Sequence, residues 1–307
     1  MIPQTEPVPP RTAALAFAGA LFAALIFGGN FVAGRQGALA GLTAGDLVAL
    51  RYAVSGLIFL PVLWRLGLRD LGGIGWPRGI LLAAMTGAPY FYGVMAGLHY
   101  APAAHGTVLN PGATALSSLV FGYLVLGLHP ARLVLAAGVP LILTGLVLVS
   151  GAGLALGGGE TWRGDALLVA TGLTYGLFFA LLRRWQIAAL PATGIVAVLS
   201  AAGWLPIYAV TADFDALARV PLAMILGQAL FQGALVSGLA VFLFARAVTV
   251  LGPARAGLFP ALVPVFGTLL AALLLGEPLT LWQLAGVAAV CTGLLLGVWQ
   301  PRRPRVG

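Results

Sequence analysis

Apolar runs alternate along this chain with short turns that hold Pro, Gly, Arg or Asp. About twenty apolar residues cross a bilayer core as a helix. Ten such segments fit, at 13–34, 44–66, 78–99, 101–126, 131–152, 164–184, 191–211, 221–245, 252–275 and 279–300. The pattern predicts an all-α integral membrane protein with no room for a separate soluble domain. Polar residues inside the runs are few and ordered. In the fourth segment Thr107, Asn110, Thr114, Ser117 and Ser118 recur at helical spacing and cover about 100° of one face. Lipid offers them no partners, so that face is expected to meet protein or a wet cavity.

The composition agrees. The 307 residues are 61% hydrophobic and 8% charged, against about 25% charged in a soluble domain. Glycine accounts for 43 of them, as expected where small residues bring membrane helices close. Gly93-x-x-x-Gly97, Gly172-x-x-x-Gly176 and Gly293-x-x-x-Gly297 read as seams within the chain rather than as dimer motifs. Cys291 is the sole cysteine, which excludes an intrachain disulfide and a metal–thiolate cluster. Residues 1–12 read as a disordered, proline-rich leader, and the run from Ala13 to Ala33 as a true first span rather than a signal peptide.

Every basic residue is arginine. The arginines stand singly or in pairs between spans, not on a continuous face, which argues against nucleic acid. With the N-terminus in the cytoplasm, the inner side receives Arg11, Arg65, Arg69, Arg78, Arg132, Arg183, Arg184, Arg246, Arg255, Arg302, Arg303 and Arg305, and the outer side Arg35, Arg163 and Arg219. This bias places both termini inside, with 301–307 as a basic cytoplasmic tail.

The chain repeats itself. Ala137-Gly138-Val139 and Thr144-Gly145-Leu146 match Ala285-Gly286-Val287 and Thr292-Gly293-Leu294 at an offset of 148, as Gly28 and Arg35 match Gly176 and Arg183. Pro102 and Gly106 match Pro253 and Gly257 at 151, and Ser55 and Pro61 match Ser200 and Pro206 at 145. Each half, 13–152 and 153–300, therefore holds five spans. Five is odd, so the halves enter the membrane from opposite faces, a plan that transporters use with a site where the halves meet.

Phe27-Gly28-Gly29-Asn30-Phe31-Val32-Ala33, Arg51, Pro264 and Gly276-Glu277-Pro278-Leu279-Thr280 resemble the drug/metabolite transporter superfamily in its EamA-type branch, over nearly the whole chain. The first half departs from that pattern where Leu128-His129-Pro130 stands in place of Gly-Glu-Pro. The resemblance implies ten helices, a central cavity and movement of small metabolites, often amino acids, usually outward.

Arg51 lies about seven residues into the second segment, where a charge costs a few kcal/mol or more unless paired or hydrated. Two roles fit it: a counter-charge for a substrate carboxylate or phosphate, or a structural arginine bonded to carbonyls of the first span. Asp46 lies roughly 140° round the helix from it, a poor partner. Gln228 and Gln232 share a helix face, and Asn30 sits near the outer end of the first span. Thr171, Thr174, Tyr175 and Phe178 form a further stripe, and of Tyr90 and Tyr92 at most one can face a given cavity. Asn30, Arg51, Tyr90, Asn110, Thr114, Tyr175, Gln228 and Gln232 are the candidate solute-binding residues, with a cavity expected between the halves. His99, His105 and His129 lack the partners of a zinc site. Asp46, Asp165 and Glu277 fall at helix ends, where capping or an interfacial charge suffices.

No phosphate loop, H-E-x-x-H or G-x-S-x-G pattern is present. The reading is a secondary transporter of small amphipathic metabolites, acting in a plasma membrane by alternating access. It needs no cofactor, and its partners are the solute and the bilayer, as monomer or homodimer. An intramembrane enzyme acting on lipid or isoprenoid substrates is the alternative, and would call for an acidic metal-binding motif or a nucleophile–base pair.

Overall fold

The computed structural model describes residues 9–157 and 159–298. Residues 1–8 of the expected leader, the last two residues of the tenth segment and the tail at 301–307 lie outside the described residues. Ten apolar helices run through the described part: α1 Arg11–Leu39, α2 Ala44–Leu66, α3 Trp76–Tyr100, α4 Ala103–Leu126, α5 Val134–Gly151, α6 Thr161–Arg184, α7 Ala189–Thr211, α8 Leu222–Leu251, α9 Phe259–Leu275 and α10 Leu281–Val298. Large apolar side chains point outward from them. Val210, Leu281 and Leu273 are 84%, 83% and 80% exposed, a surface that only lipid can cover.

The helices pack with the two-fold logic of the repeat. α4 lies along α6, and α9 along α1; α3 lies along α6, and α8 along α1. α2 meets its counterpart α7, and α5 meets its counterpart α10. The repeated tripeptides form this last seam. A Cβ on Gly145 would stand 2.6 Å from the Gly286 carbonyl oxygen, and one on Gly293 would stand 2.8 Å from that of Gly138. Gly93 and Gly97 likewise close onto α6, and Gly172 and Gly176 onto α4, whereas Gly297 faces open space.

Four helices depart from the expected segments. α1 continues to Leu39, which puts Arg35 inside a helix instead of in a loop. α3 breaks between Thr86 and Ala88. The span expected at 252–275 is interrupted: a short turn at Pro253–Ala256, a 3-10 turn at Phe259–Leu262, then α-helix from Val263. Pro260 and Pro264 lack the N–H that a continuous helix needs. In α8 the stretch Ala229–Ala240 is wound as a π-helix.

Turn chemistry explains Gly276-Glu277-Pro278-Leu279-Thr280. Gly276 takes φ +66° and ends α9, as Gly127 with φ +65° ends α4. Thr280 opens α10: its Oγ1 accepts from Gln283 N at 3.2 Å, and its own N–H donates to Gln283 Oε1 at 3.0 Å. Glu277 serves a different helix, described below.

A Cβ on Gly172 would lie 2.5 Å from the Asn110 carbonyl oxygen and 2.7 Å from Ala113 Cβ, so Gly172→Ala forces α4 and α6 apart. Overpacking of this kind costs about 1–3 kcal/mol. Thermal unfolding of the purified protein is expected to show Gly172→Ala clearly destabilised and Gly203→Ala, which meets nothing within 4 Å, close to the parent.

Candidate functional site

Arg51 is half-buried where the two halves meet. α2 carries Arg51 between α1 and α8, and its Nη1 donates to Asn30 Oδ1 at 3.3 Å and to Gln232 Oε1 at 3.2 Å. Its guanidinium lies 4.2 Å from the centroid of the Phe91 ring, within cation–π range. Gln232 is fully buried, and its Nε2 donates to the Asn30 carbonyl at 3.3 Å, which locks the amide's direction. Asn30 and Arg51 belong to the first half and Gln232 to the second, so the site straddles the interface. Both hydrogen-bond partners are neutral amides, and the buried Nε is unpartnered. Among the described residues no carboxylate pairs with this guanidinium. Asp46 is engaged elsewhere: its Oδ2 accepts from Thr43 N at 2.7 Å, and its Oδ1 from the Tyr208 hydroxyl at 2.6 Å.

An aromatic wall flanks this cluster. Phe91 packs edge-on against Tyr52 at 6.3 Å between centroids. One residue away on α3, Tyr90 lies 5.1 Å from Tyr175 of α6 and donates to Asn110 Oδ1 at 3.2 Å. Asn110 Nδ2 donates to Thr171 Oγ1 at 3.0 Å and the Leu168 carbonyl at 3.3 Å. Tyr90, Asn110 and Tyr175 therefore form a second group of α3, α4 and α6, while Asn30, Arg51 and Gln232 form the first. Tyr92 turns away and packs on Trp204 at 5.5 Å.

The remaining candidates are occupied with helix packing. The Thr114 hydroxyl donates to the carbonyls of Asn110 at 2.9 Å and Gly172 at 3.1 Å. Gln228 Nε2 donates to the Ala33 carbonyl at 2.6 Å. The polar stripe of α4 faces α6 and α9: Ser117 also reaches Gly172, and Thr107 lies 3.3 Å from Thr268. Thr174 points outward, exposed, with its hydroxyl on the Thr171 carbonyl. Its place in the expected stripe is corrected, since a backbone oxygen one turn below satisfies a threonine hydroxyl without a cavity.

One buried pair escaped the sequence reading. His105 Nδ1 and Asp165 Oδ1 are 2.7 Å apart; the histidine is fully buried and the aspartate nearly so. The residues are sixty positions apart, on the first turn of α4 and the second turn of α6. Asp165 does not cap α6, so the capping role expected for it is replaced by this pairing. Repeat alignment holds the signal that was available: at the same offsets, His105 corresponds to Ala256 and Asp165 to Phe17, both apolar.

Polar ties between the halves concentrate at one end, the end with few arginines. There Glu277 reaches from the α9–α10 turn to the start of α4, accepting from Ala103 N at 2.7 Å and Ala104 N at 3.0 Å. His105–Asp165, Asp46–Tyr208 and Trp204 Nε1 to the Gly45 carbonyl, 3.3 Å, lie at the same end. At the opposite end the counterpart turn, Leu128-His129-Pro130, carries no carboxylate, and a cleft of about 240 Å³ opens between the α2–α3 and α6–α7 loops, with Arg78 and Trp185 in its wall.

The sequence model of the EamA-like transporter family matches this chain twice, over residues 14–151 and 162–299. A comparison with curated proteins finds no match. A solved structure titled only "Crystal structure of protein" superposes with a TM-score of 0.61 at 16% identity, covering 92% of this chain and 97% of that one; at that identity the likeness speaks for the fold alone.

Proposed function

As a member of the EamA-like transporter family, this chain is a multi-pass membrane protein, and we propose that it is a secondary transporter for small amphipathic metabolites that carry a carboxylate, amino acids among them. The observation that carries the reading is the guanidinium of Arg51, held at the junction of the halves by two neutral amides and the face of Phe91, with no carboxylate paired to it among the described residues. A charge at that depth without a counter-charge is costly, and a solute carboxylate supplies one in the bidentate geometry arginine favours. The half-buried Tyr90 and Tyr175 offer aromatic surface nearby for the rest of the solute, with the fully buried Phe91 and Tyr52 packed behind the guanidinium.

The halves rock about this site, so that it opens to one face and then the other. The arginine bias places both termini in the cytoplasm and the protein in a plasma membrane. The polar ties then lie at the outer end and the cleft beside Arg78 on the inner side, and export is the direction we infer. Counterflow in liposomes tests the proposal: protein loaded with one unlabelled amino acid at a time is expected to accumulate the labelled form, and a panel of amino and organic acids giving none sinks it. For the orientation, cysteines at Gly159 and Asp213 in a Cys291→Ser background are expected to react with an impermeant thiol reagent from outside intact cells, and one at Arg132 is not. The reverse pattern inverts the topology and the direction with it.

A further inference from the structure

His105 and Asp165 are not needed to fill their seam, because the other half places Ala256 and Phe17 at the corresponding positions. Apolar residues of matched volume commonly replace a buried ionic pair at no loss of stability. Yet the pair is kept where α4 of the first half meets α6 of the second. Two of its atoms, His105 Nε2 and Asp165 Oδ2, are buried without a hydrogen-bond partner. We propose that His105 and Asp165 form a proton-binding site whose occupancy holds this end of the α4–α6 seam closed, a coupling that rests on the transporter reading above.

The balance is simple. With Nδ1–H of a neutral imidazole donating to Oδ1 of the carboxylate, the pair carries one negative charge. A proton taken from water onto Nε2 brings it to zero, as an imidazolium facing the carboxylate, and no other bond changes. Uncompensated charge between packed helices is costly, so the closed seam favours the neutral pair, and water entering the open seam accepts the proton. Proton binding and closure therefore support each other. The charged groups on the surrounding elements are few. Arg35 of α1 is committed to the Leu98 and His99 carbonyls, and the ring nitrogens of His99 on α3 face the Met95 and Leu42 carbonyls, to one of which a neutral imidazole donates. Glu277 holds Ala103 and Ala104, and Arg163 pairs with Glu160 at the exposed start of α6. α5, α9 and α10 present no Asp, Glu, Arg or His. None of these groups bonds to the unpartnered atoms.

Thr161 is buried on the first turn of α6, four residues before Asp165. In the full chain with Cys291→Ser, Thr161→Cys reports opening of the seam, and Trp162→Cys, on the exposed surface, corrects for the thiol's own chemistry. In lipid nanodiscs the corrected maleimide rate is expected to rise with pH between 5.5 and 8.5, by up to about tenfold per unit for one linked proton. It is expected to lose that dependence in both His105→Gln and Asp165→Asn. A flat parent profile, or a pH dependence preserved in both variants, overturns the proposal. The chain has only three histidines, so nitrogen-15 NMR of histidine-labelled protein supplies a second readout that needs no variant to fold well. His105 Nε2 is expected to change its protonation over the same range, and a constant signal refutes the site. Neither readout involves transport, so an intact pH profile with no counterflow of any solute would instead fault the transporter reading.

Discussion

Glu277→Ala is expected to open the arginine-poor end of the molecule. The Glu277 carboxylate accepts the first two free N–H groups of α4, joining the α9–α10 turn of the second half to the first half. Hydrogen bonds to a charged group contribute about 1.5–3 kcal/mol each, and a carboxylate at a helix N-terminus also meets the positive end of its dipole. Water satisfies those N–H groups in the open state but not in the closed one, so losing the carboxylate weighs on closure specifically. A shift of about 1.5–3 kcal/mol moves a two-state population roughly ten- to hundredfold. Spin labels on Tyr100 and Trp162, both exposed at this end on opposite halves, give the measurement by pulsed electron resonance. The parent is expected to show one short distance and Glu277→Ala a second, longer one, with Glu277→Gln between them. Leu128→Ala, at the counterpart turn, is expected to leave the distribution alone. Identical distributions in Glu277→Ala and the parent would show that the tie does not gate this end.

The larger functional effect is expected at Arg51. Arg51→Gln removes the charge but keeps a side chain able to hydrogen-bond Asn30 and Gln232. If the guanidinium holds a carboxylate, counterflow of carboxylate solutes falls at least about tenfold, the scale of one charge-assisted hydrogen bond, while their amides and esters lose far less. If Arg51 only braces α1 against α8, all solutes suffer alike and the melting temperature drops with them. Equal losses accompanied by a lowered melting temperature would remove Arg51 from the solute site.

The architecture was legible because it is written in long-range composition. Ten apolar runs and the paired Ala-Gly-Val and Thr-Gly-Leu tripeptides needed no contact information, and the tripeptides form the α5–α10 seam itself. Arg51 was legible through its cost: a charge inside an apolar run has to be explained. What stayed hidden depends on which faces meet. Asn110 and Thr114 read equally well as cavity wall or as packing, and only the positions of Thr171 and Gly172 on α6 show where their hydrogen bonds go. His105 and Asp165 stand near helix ends, each unremarkable there, and the fold joins them across sixty residues. The break in α9 was present in Pro260 and Pro264 but was read as continuous helix, while the π-wound stretch of α8 carries no local signature. The departure at Leu128-His129-Pro130, which as sequence only weakens the repeat, becomes a difference between the two ends of the molecule once Glu277 is seen holding α4.

The central claim is a site at Arg51, shared by the halves and opened to each face in turn. Asn30, which bonds that guanidinium and is half-buried, is the place to test it. In a Cys291→Ser background, Asn30→Cys is exposed to an impermeant thiosulfonate added to one side of the membrane at a time. The account predicts modification from either side, slowed by a carboxylate solute that the parent exchanges. A cysteine there that reacts from neither face, or from one face alone whatever solute is present, would contradict it.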